Sequence, residues 1–255
     1  MTSGRMIILK TPEEIELIAQ ASRIVAECQK VLLGLVKPGI STLQLDKATE
    51  ECIRDLGGIP AFKGYRNYPN SLCASVNEEV VHGIPGTRIL KEGDIVGLDI
   101  GAIVGGFYGD GAITVSIGEI DSQKALLISV TREALRKGVE KAMVGNRLSD
   151  ISHAIQDYIE LHGFSVVRDF VGHGIGRQLH EEPQVPNYGR PGHGPRLKAG
   201  MALAIEPMVN MGKPGVKVLE DGWTAVTTDG SWSAHFEHTI TVEQDGPARV
   251  LTACV

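Results

Sequence analysis

Four acids and one histidine stand out because each lies in an apolar or glycine-rich segment: Asp99, Asp110, His173, Glu206 and Glu237. Carboxylates buried in such surroundings need a cation to neutralise them. This set carries too much negative charge for one divalent ion and suits two, about 3.5–4 Å apart. Oxygen-rich ligation favours manganese, iron(II) or cobalt(II) over a thiolate-type zinc site. Such a pair would polarise a carbonyl group and activate a bridging water.

Asp99 and Asp110 occupy the two arms of a predicted hairpin, in the sequence GDIVGLDIGAIVGGFYGDGAITVS from residue 93 to residue 116. A turn centred on Val104-Gly105 would pair Asp99 directly with Asp110, on one face and roughly 5 Å apart at Cβ. Two opposed like charges are destabilising unless something neutralises them. The alternative is a surface hairpin with two solvated acids, which the apolar flanks disfavour.

The remaining three candidates are weaker when taken singly. Glu206 ends the apolar run MALAIE, Glu237 lies in WSAHFEHTITV, which alternates like a strand, and His173 lies between glycines in VGHGIG. A single acid in a strand is commonly an edge charge, and a histidine among glycines is commonly an ordinary loop residue. The combination with the acidic hairpin favours the metal site.

Helical periodicity and capping signals predict four helices that carry these strands. The first covers residues 12–34, with Thr11 and Glu14 forming a capping box. Ser41 or Thr42 begins the second, Ser122 the third (122–143), and Ser149 or Asp150 the fourth.

The order of helix, glycine turn, helix, His-Gly-Ile loop and acidic strand occurs twice along the chain. Leu90-Lys91-Glu92-Gly93 precedes Asp99, and Leu197-Lys198-Ala199-Gly200 precedes Glu206 at the same spacing. The pattern predicts one domain, 1–255, made of two similar halves, about 12–118 and 122–245, that close on a shared centre.

Composition excludes several classes of protein. A net charge of −6 at pH 7 argues against a general nucleic-acid binder, and no apolar run approaches a membrane span. No signal peptide is visible, so we expect a cytoplasmic location. Cys28, Cys52, Cys73 and Cys254 lack CxxC spacing, which argues against disulfides and zinc modules. The segment Gly172–Gly176 lacks the βαβ context of a dinucleotide fingerprint, and His180-Glu181-Glu182-Pro183 lacks the second histidine of a zincin helix.

In these motifs the chain resembles the methionine aminopeptidases of the short bacterial type (type I). The resemblance covers residues 12–245 and includes NEEVVHGIP, GHGIGRQLHEEPQVPNYG, AIEPMV and SAHFEHTI. It implies an α/β (α+β) pita-bread fold, in which a pseudo-twofold antiparallel β-sheet core is covered by helices. It also implies removal of the initiator methionine from nascent chains whose second residue is small.

The resemblance further implies a role for each site residue. The five ligands would be those named above, holding two ions of cobalt, manganese, iron(II), zinc or nickel. His82 would contact the scissile amide and assist proton transfer, His180 would steady the carbonyl oxygen, and Glu206 would accept the proton of the attacking water. The methionine pocket would be lined by Tyr65, Tyr68, Cys73 and Trp223, with Phe62 and Leu179 at positions that vary in the family. Asn77 and Ser233 match positions of a monovalent cation.

The same resemblance implies a monomer that associates transiently with the ribosome. Xaa-Pro aminopeptidases and prolidases share the fold and the ligands but usually carry an extra N-terminal domain, for which a first helix at residue 12 leaves no room. The second, eukaryotic-type class carries an insertion for which the interval from His173 to Glu206 is too short. A non-catalytic relative would have lost ligands, whereas this chain keeps all five.

Overall fold

The structure is a computed structural model that describes residues 6–253. Its α-helices are α1 (Pro12–Leu35), α2 (Thr42–Asp55), α3 (Ser122–Lys141) and α4 (Leu148–Leu161). The strands are β1 (Ile59–Pro60), β2 (Leu72–Val76), β3 (Glu79–Val81), β4 (Ile95–Val104), β5 (Phe107–Ser116), β6 (Ser165–Val166), β7 (Gly172–Gly174), β8 (Glu181–Val185), β9 (Ala202–Ile205), β10 (Met208–Asn210), β11 (Val216–Val218), β12 (Ala225–Thr227), β13 (Ser233–His235), β14 (His238–Thr241) and β15 (Arg249–Val250).

The capping signals placed the first two helices correctly. Thr11 and Glu14 form the predicted capping box at the start of α1. Ser41, one of the two predicted caps, begins α2 and is joined by Gln44 in a second capping box. These reciprocal bonds satisfy backbone N–H groups that a helix start leaves without partners.

The third helix begins at residue 122 as predicted, but its cap and the start of the fourth helix differ from the predictions. Asp121, not Ser122, caps α3, and its carboxylate accepts bonds from the N–H groups of Gln123 and Lys124. The fourth helix begins at Leu148, one residue before the predicted Ser149, whose hydroxyl instead donates to the carbonyl of His193. An aspartate one position earlier, or a side chain recruited by a distant loop, can displace a serine cap.

The strands form antiparallel sheets. The largest holds five strands in the order β15-β14-β9-β7-β8, and a four-stranded sheet has the order β1-β4-β2 with β5 added to β4. Two three-stranded sheets, β13-β10-β6 and β11-β12-β3, complete the set among residues 6–253. Within the same residues, no helix combines the length and the apolar character needed to cross a bilayer.

The central hairpin forms as predicted, but its register is shifted by two residues. Asp99 pairs with Ala112 and Asp110 pairs with Gly101, so the predicted direct pairing of the two aspartates is wrong. The reason is the turn, which consists of Gly105 and Gly106 with φ values of 57° and 80°. Two consecutive positive φ angles are what the favoured two-residue turn requires. Because the shift is even, both aspartates still face the same side of the sheet.

One predicted continuous strand is interrupted: the run from Ser233 to Thr241 divides into β13 and β14 around Phe236-Glu237. The apolar run predicted to end at Glu206 forms β9, which ends at Ile205, and β10 begins at Met208. Proline has no N–H group to donate to a sheet ladder, which accounts for the break at Pro207.

Helices cover the outer faces of the sheets and create two apolar cores. One core joins α1 and α2 to the even-numbered residues of β4, including Leu98 and Ile100. The other joins α3 and α4 to Leu203 and Ile205 of β9. Side chains alternate along a strand, so this arrangement turns the intervening positions, including Asp99, to the opposite face. The cores thereby direct the acids toward the centre of the molecule.

Candidate metal centre and substrate cavity

A cavity of about 470 Å³ opens on the face of the sheets opposite the helices. Every site residue predicted from the sequence, apart from the two at the monovalent-cation position, lines this cavity: Phe62, Tyr65, Tyr68, Cys73, His82, Asp99, Asp110, His173, Leu179, His180, Glu206, Trp223 and Glu237. These residues come from segments on both sides of α3.

The four acids reach the cavity from two strand pairs. Asp99 and Asp110 lie diagonally across the ladder of β4 and β5, within unbroken strands. In the other pair, Ile205 lies opposite His238 and Met208 lies opposite His235. This register places Glu206 and Glu237 opposite each other, both in the gaps between strands.

His173 lies in β7, which pairs with β9 and β8, and is flanked by two glycines. A Cβ atom on Gly172 would lie 2.4 Å from the Ala204 carbonyl oxygen, and one on Gly174 would lie 2.2 Å from that of Glu182, so only glycine allows this packing. Nδ1 of His173 lies 2.9 Å from the carbonyl oxygen of Gly174. The other ring nitrogen, Nε2, lies 3.5 Å from Glu206 Oε1 and 4.0 Å from Asp110 Oδ2.

The donor set fits a divalent metal. Asp110, His173 and Glu237 each offer a ligand atom, and these atoms all lie within 4.8 Å of one another. Buried oxygens of Asp99, Asp110 and Glu237 have no hydrogen-bond partner within residues 6–253. Buried polar atoms are normally paired, so a cluster of unpaired carboxylate oxygens is explained by a cation.

The raised pKa values of the four acids also indicate a bound cation. Burial and the neighbouring Asp99 raise the pKa of Asp110 well above its usual value, and burial with Asp110 does the same for Glu237. Burial raises the pKa of Glu206 to about 8 and that of Asp99 to about 6. The four carboxyl groups therefore cannot all be ionised at neutral pH without a compensating positive charge.

Two further histidines face the cavity. His82 has a left-handed backbone, with φ 61°, and its ring meets the edges of Phe170 and Trp223. The hydroxyl of Tyr65 lies 2.8 Å from Nδ1 of His180, and the two rings stack. Burial lowers the pKa of His82 to about 4, and desolvation with the charge of Arg66 lowers the pKa of His180 to about 4. Both rings are neutral at pH 7.

Aromatic and sulfur-containing side chains form the rest of the wall. The Tyr68 ring packs against Trp223 with centroids 5.1 Å apart, and its hydroxyl lies 3.0 Å from the carbonyl oxygens of Leu72 and Gly83. Cys73 lies opposite Asp99 in the ladder of β2 and β4. Tyr68, Cys73 and Leu179 belong to one buried cluster. The wall is therefore largely apolar next to the acids.

The structure adds residues that sequence reasoning did not single out. Arg66, Phe170 and Gly222 also line the cavity. His235 is buried, and its Nε2 atom lies 3.6 Å from Glu206 Oε2. Its position two residues before Glu237 in an alternating strand was the signal available, because such residues share a face.

Asn77 and Ser233, the predicted monovalent-cation position, are neighbours away from this cavity. The N–H group of Ser233 donates to the carbonyl oxygen of Asn77 at 2.9 Å. The Asn77 side chain bonds Asp94 and the backbone of Ile95, while the Ser233 hydroxyl bonds Val209 and Asn210.

A larger cavity of about 900 Å³ lies between α1 and α3. Its lining contains no aspartate or glutamate, so it lacks the carboxylate ligands of the candidate metal centre.

Residues 16–244 match metallopeptidase family M24. The chain is 54% identical to the methionine aminopeptidase of Clostridium acetobutylicum over 98% of this chain and 100% of that protein. It is 55% identical to methionine aminopeptidase 1 of Bacillus subtilis over 94% and 97% of the two chains.

Solved structures give the same result. Methionine aminopeptidase from Thermotoga maritima superposes with a TM-score of 0.95 at 50% identity, over 97% of this chain and 99% of that one. Prolidase from Pyrococcus furiosus superposes with a TM-score of 0.76 at 22% identity, and the match covers 66% of that chain. The second likeness shows a shared fold.

Proposed function

Because this chain belongs to metallopeptidase family M24 and, within it, to the methionine aminopeptidases, we propose that its central cavity removes the initiator methionine from new polypeptides whose second residue is small. The enzyme is a metal-dependent hydrolase with the predicted pita-bread α/β fold. One observation carries the proposal: clustered buried carboxylates and an aromatic, sulfur-containing wall share one cavity. We propose further that both halves form a single catalytic domain.

Asp99, Asp110, His173, Glu206 and Glu237 are the proposed ligands of two divalent cations. Manganese, iron(II), cobalt(II), zinc and nickel are the candidates, with oxygen-rich ligation favouring the first three. When bound, such ions polarise the substrate carbonyl and make a water molecule acidic enough to lose a proton near neutral pH. A monovalent cation beside Asn77 and Ser233 stays a prediction.

Glu206 is the proposed acceptor of the proton released by the attacking water. Without a cation, burial raises its pKa to about 8; bound cations would favour the ionised carboxylate, the form that accepts a proton. Oε1 lies 3.5 Å from His173 Nε2 and Oε2 lies 3.6 Å from His235 Nε2, so an imidazole ring flanks the carboxyl group on each side.

His180 and His82 act on the scissile amide. We assign the Tyr65 hydroxyl, 2.8 Å from Nδ1 of His180, as the donor of their hydrogen bond. This assignment puts the proton of the neutral ring on Nε2, where it can donate to the carbonyl oxygen as negative charge develops. His82, neutral and packed against aromatic rings, is proposed to hydrogen-bond the scissile amide and to assist transfer of the proton taken from the attacking water to the departing amine.

The methionine side chain fits between Tyr68, Cys73 and Trp223, with Phe62 and Leu179 closing the pocket and Tyr65 at its edge. A thioether gains about 0.3–1.5 kcal/mol from contact with an aromatic ring. The thiol of Cys73 stays protonated because burial raises its pKa, so the pocket adds no negative charge beside the substrate sulfur.

We infer that the substrates are the N-terminal methionine peptides of nascent chains and that the enzyme associates transiently with the ribosome. A monomer in the cytoplasm is the arrangement consistent with that task. Prolidase activity is the alternative function, since that class shares the fold.

The test is a peptide assay with metal-free enzyme reconstituted with each divalent metal in turn. We expect cleavage of Met-Ala peptides, little cleavage of Met-Leu peptides and none of Ala-Pro peptides. Thorough chelation should abolish the activity and added metal should restore it. Cleavage of Ala-Pro peptides would support the alternative, and activity that survives chelation would overturn the proposal.

A further inference from the structure

The two halves of the molecule meet along a seam between β5 and the β13–β14 segment, beside the acids. Ala112 and Glu237 exchange two backbone hydrogen bonds there, at 2.9 and 3.4 Å. Two residues before and two residues after this backbone pair, a threonine side chain of one segment bonds the backbone of the other. Thr239 bonds Asp110 in this way, and Thr114 bonds His235.

Each threonine oxygen bonds the opposite residue twice. Oγ1 of Thr239 accepts from the Asp110 N–H group at 3.0 Å and donates to the Asp110 carbonyl oxygen at 2.7 Å. Oγ1 of Thr114 accepts from the His235 N–H group at 2.9 Å and donates to its carbonyl oxygen at 2.8 Å. A hydroxyl is suited to this position because one oxygen atom both donates and accepts.

We propose that Thr239 is a positioning residue that holds the backbone of Asp110 in place relative to Glu237, and so sets the spacing of carboxylates contributed by opposite halves. Thr239 lies two residues after Glu237 on the same run of chain and is fully buried. Asp110 and Glu237 belong to the group whose ligand atoms all lie within 4.8 Å. Their separation depends on the seam, because Asp110 lies in β5 and Glu237 lies between β13 and β14, which belong to other sheets than β5.

Thr114 has the matching position in the first half, and its opposite residue is His235. The ring of His235 faces Glu206 Oε2 at 3.6 Å. The two threonines therefore act on different partners: Thr239 on an acid of the metal centre, and Thr114 on the histidine that supports Glu206. This inference rests on the proposed metal site.

The experiment compares Thr239→Val, which keeps the shape and removes the hydroxyl, with Thr239→Ser, which keeps the hydroxyl. Thr131→Val is the matched control, because Thr131 is equally buried but its hydroxyl donates to Leu127 within α3. Each protein is stripped of metal and titrated with Mn²⁺ by calorimetry, and kcat and KM are measured for a Met-Ala-Ser peptide at saturating Mn²⁺.

We expect Thr239→Val to bind Mn²⁺ about 10–100-fold more weakly, as loss of a partner that orients a ligand typically does. Thr239→Ser should stay within about threefold of the parent, and Thr131→Val should bind unchanged. An unchanged Mn²⁺ affinity in folded Thr239→Val would overturn the inference, even if its stability fell.

If Thr239→Val is not recovered folded, Thr239→Cys gives a smaller step, because a thiol donates and accepts only weakly. Its Mn²⁺ affinity should lie between that of Thr239→Ser and the loss of about 10–100-fold expected for Thr239→Val. An affinity equal to that of Thr239→Ser would contradict the inference. A parent protein that bound no Mn²⁺ would instead overturn the proposed function, so the two failures are distinguishable.

Discussion

The two halves present their carboxylates to the cavity by different means. In the first half, two short aspartates project from unbroken strands joined by a two-residue turn. In the second, two longer glutamates project from breaks in the strands, at Pro207 and at Phe236. Equal spacing in a repeated pattern therefore locates an acid in a strand without specifying the local backbone that aims it.

The repeated His-Gly-Ile segment shows the same divergence. His173 lies in β7 and faces the acids, whereas His82 has a left-handed backbone and lies against Phe170 and Trp223. One copy thus supplies a proposed ligand and the other a proposed proton-transfer group. The following changes separate the contributions of the two halves.

The largest effect is expected from Glu206→Gln in the second half. Glutamine keeps the shape but cannot accept the proton, and loss of a general base typically costs about 10²–10⁴-fold in rate. The measurement is kcat on a Met-Ala-Ser peptide, alongside circular dichroism to establish that the protein is folded. Glu220→Gln, at an exposed position, is the control and should be fully active. Near-normal turnover by the Glu206 variant would refute its role.

His180→Ala should follow, with kcat lowered about 10²–10³-fold, equivalent to about 2.7–4 kcal/mol, as for other donors to a developing oxyanion. Metal content, measured by elemental analysis, should not change. Tyr65→Phe removes only the hydrogen bond to Nδ1. It should lower kcat by a factor equivalent to about 1 kcal/mol in activation free energy, the net value of one hydrogen bond.

His82→Ala is the corresponding substitution in the first half. It should lower kcat and leave the metal content unchanged. If His180→Ala lost metal and His82→Ala did not, His180 would belong with the ligands and the division between the two histidines would be wrong.

Glu237→Asp tests whether the longer side chain is needed where the strand is broken. The change withdraws the carboxylate by about one carbon–carbon bond, or about 1.5 Å, beyond the tolerance of about 0.2 Å for metal–ligand distances. We expect loss of at least one bound cation per chain and an affinity at least about tenfold weaker. Calorimetric titration with Mn²⁺ measures both quantities. A variant with parental stoichiometry would show that the break can adjust to either length.

Much of this arrangement could be predicted from particular residues. The apolar neighbours of Asp99 and Asp110 indicated buried strands, and Val104-Gly105-Gly106 indicated the turn. Centring the turn on Val104-Gly105 gave the wrong register, because both turn positions have positive φ, which the two glycines allow and a β-branched valine disfavours. An error of two residues still leaves the acids on the same face.

Part of what the sequence did not show depends on distant contacts. The hydroxyl of Ser149 is bound to the carbonyl of His193, more than forty residues away. His235 lacked a separate motif and gained significance only when β13 brought it to Glu206. Such outcomes are set by packing across the chain, which local propensity does not contain.

The smallest effect on activity is expected from a substitution in the two-residue turn between β4 and β5. Gly105→Ala places a side chain at φ 57°, where a non-glycine residue costs about 1–2 kcal/mol, and its Cβ would meet Leu17 at 3.0 Å. We expect the free energy of unfolding, measured in urea, to fall by about that amount while kcat and metal content stay parental, because the acids lie several residues from the turn.

Gly34→Ala is the control for this change, since Gly34 lies in α1 with open space around it. Alanine there should leave stability unchanged or raise it by up to about 1 kcal/mol. If Gly105→Ala instead lowered Mn²⁺ affinity, the hairpin would set the ligand geometry through its turn, and the unbroken strands of the first half would be less rigid supports than their continuous ladder indicates.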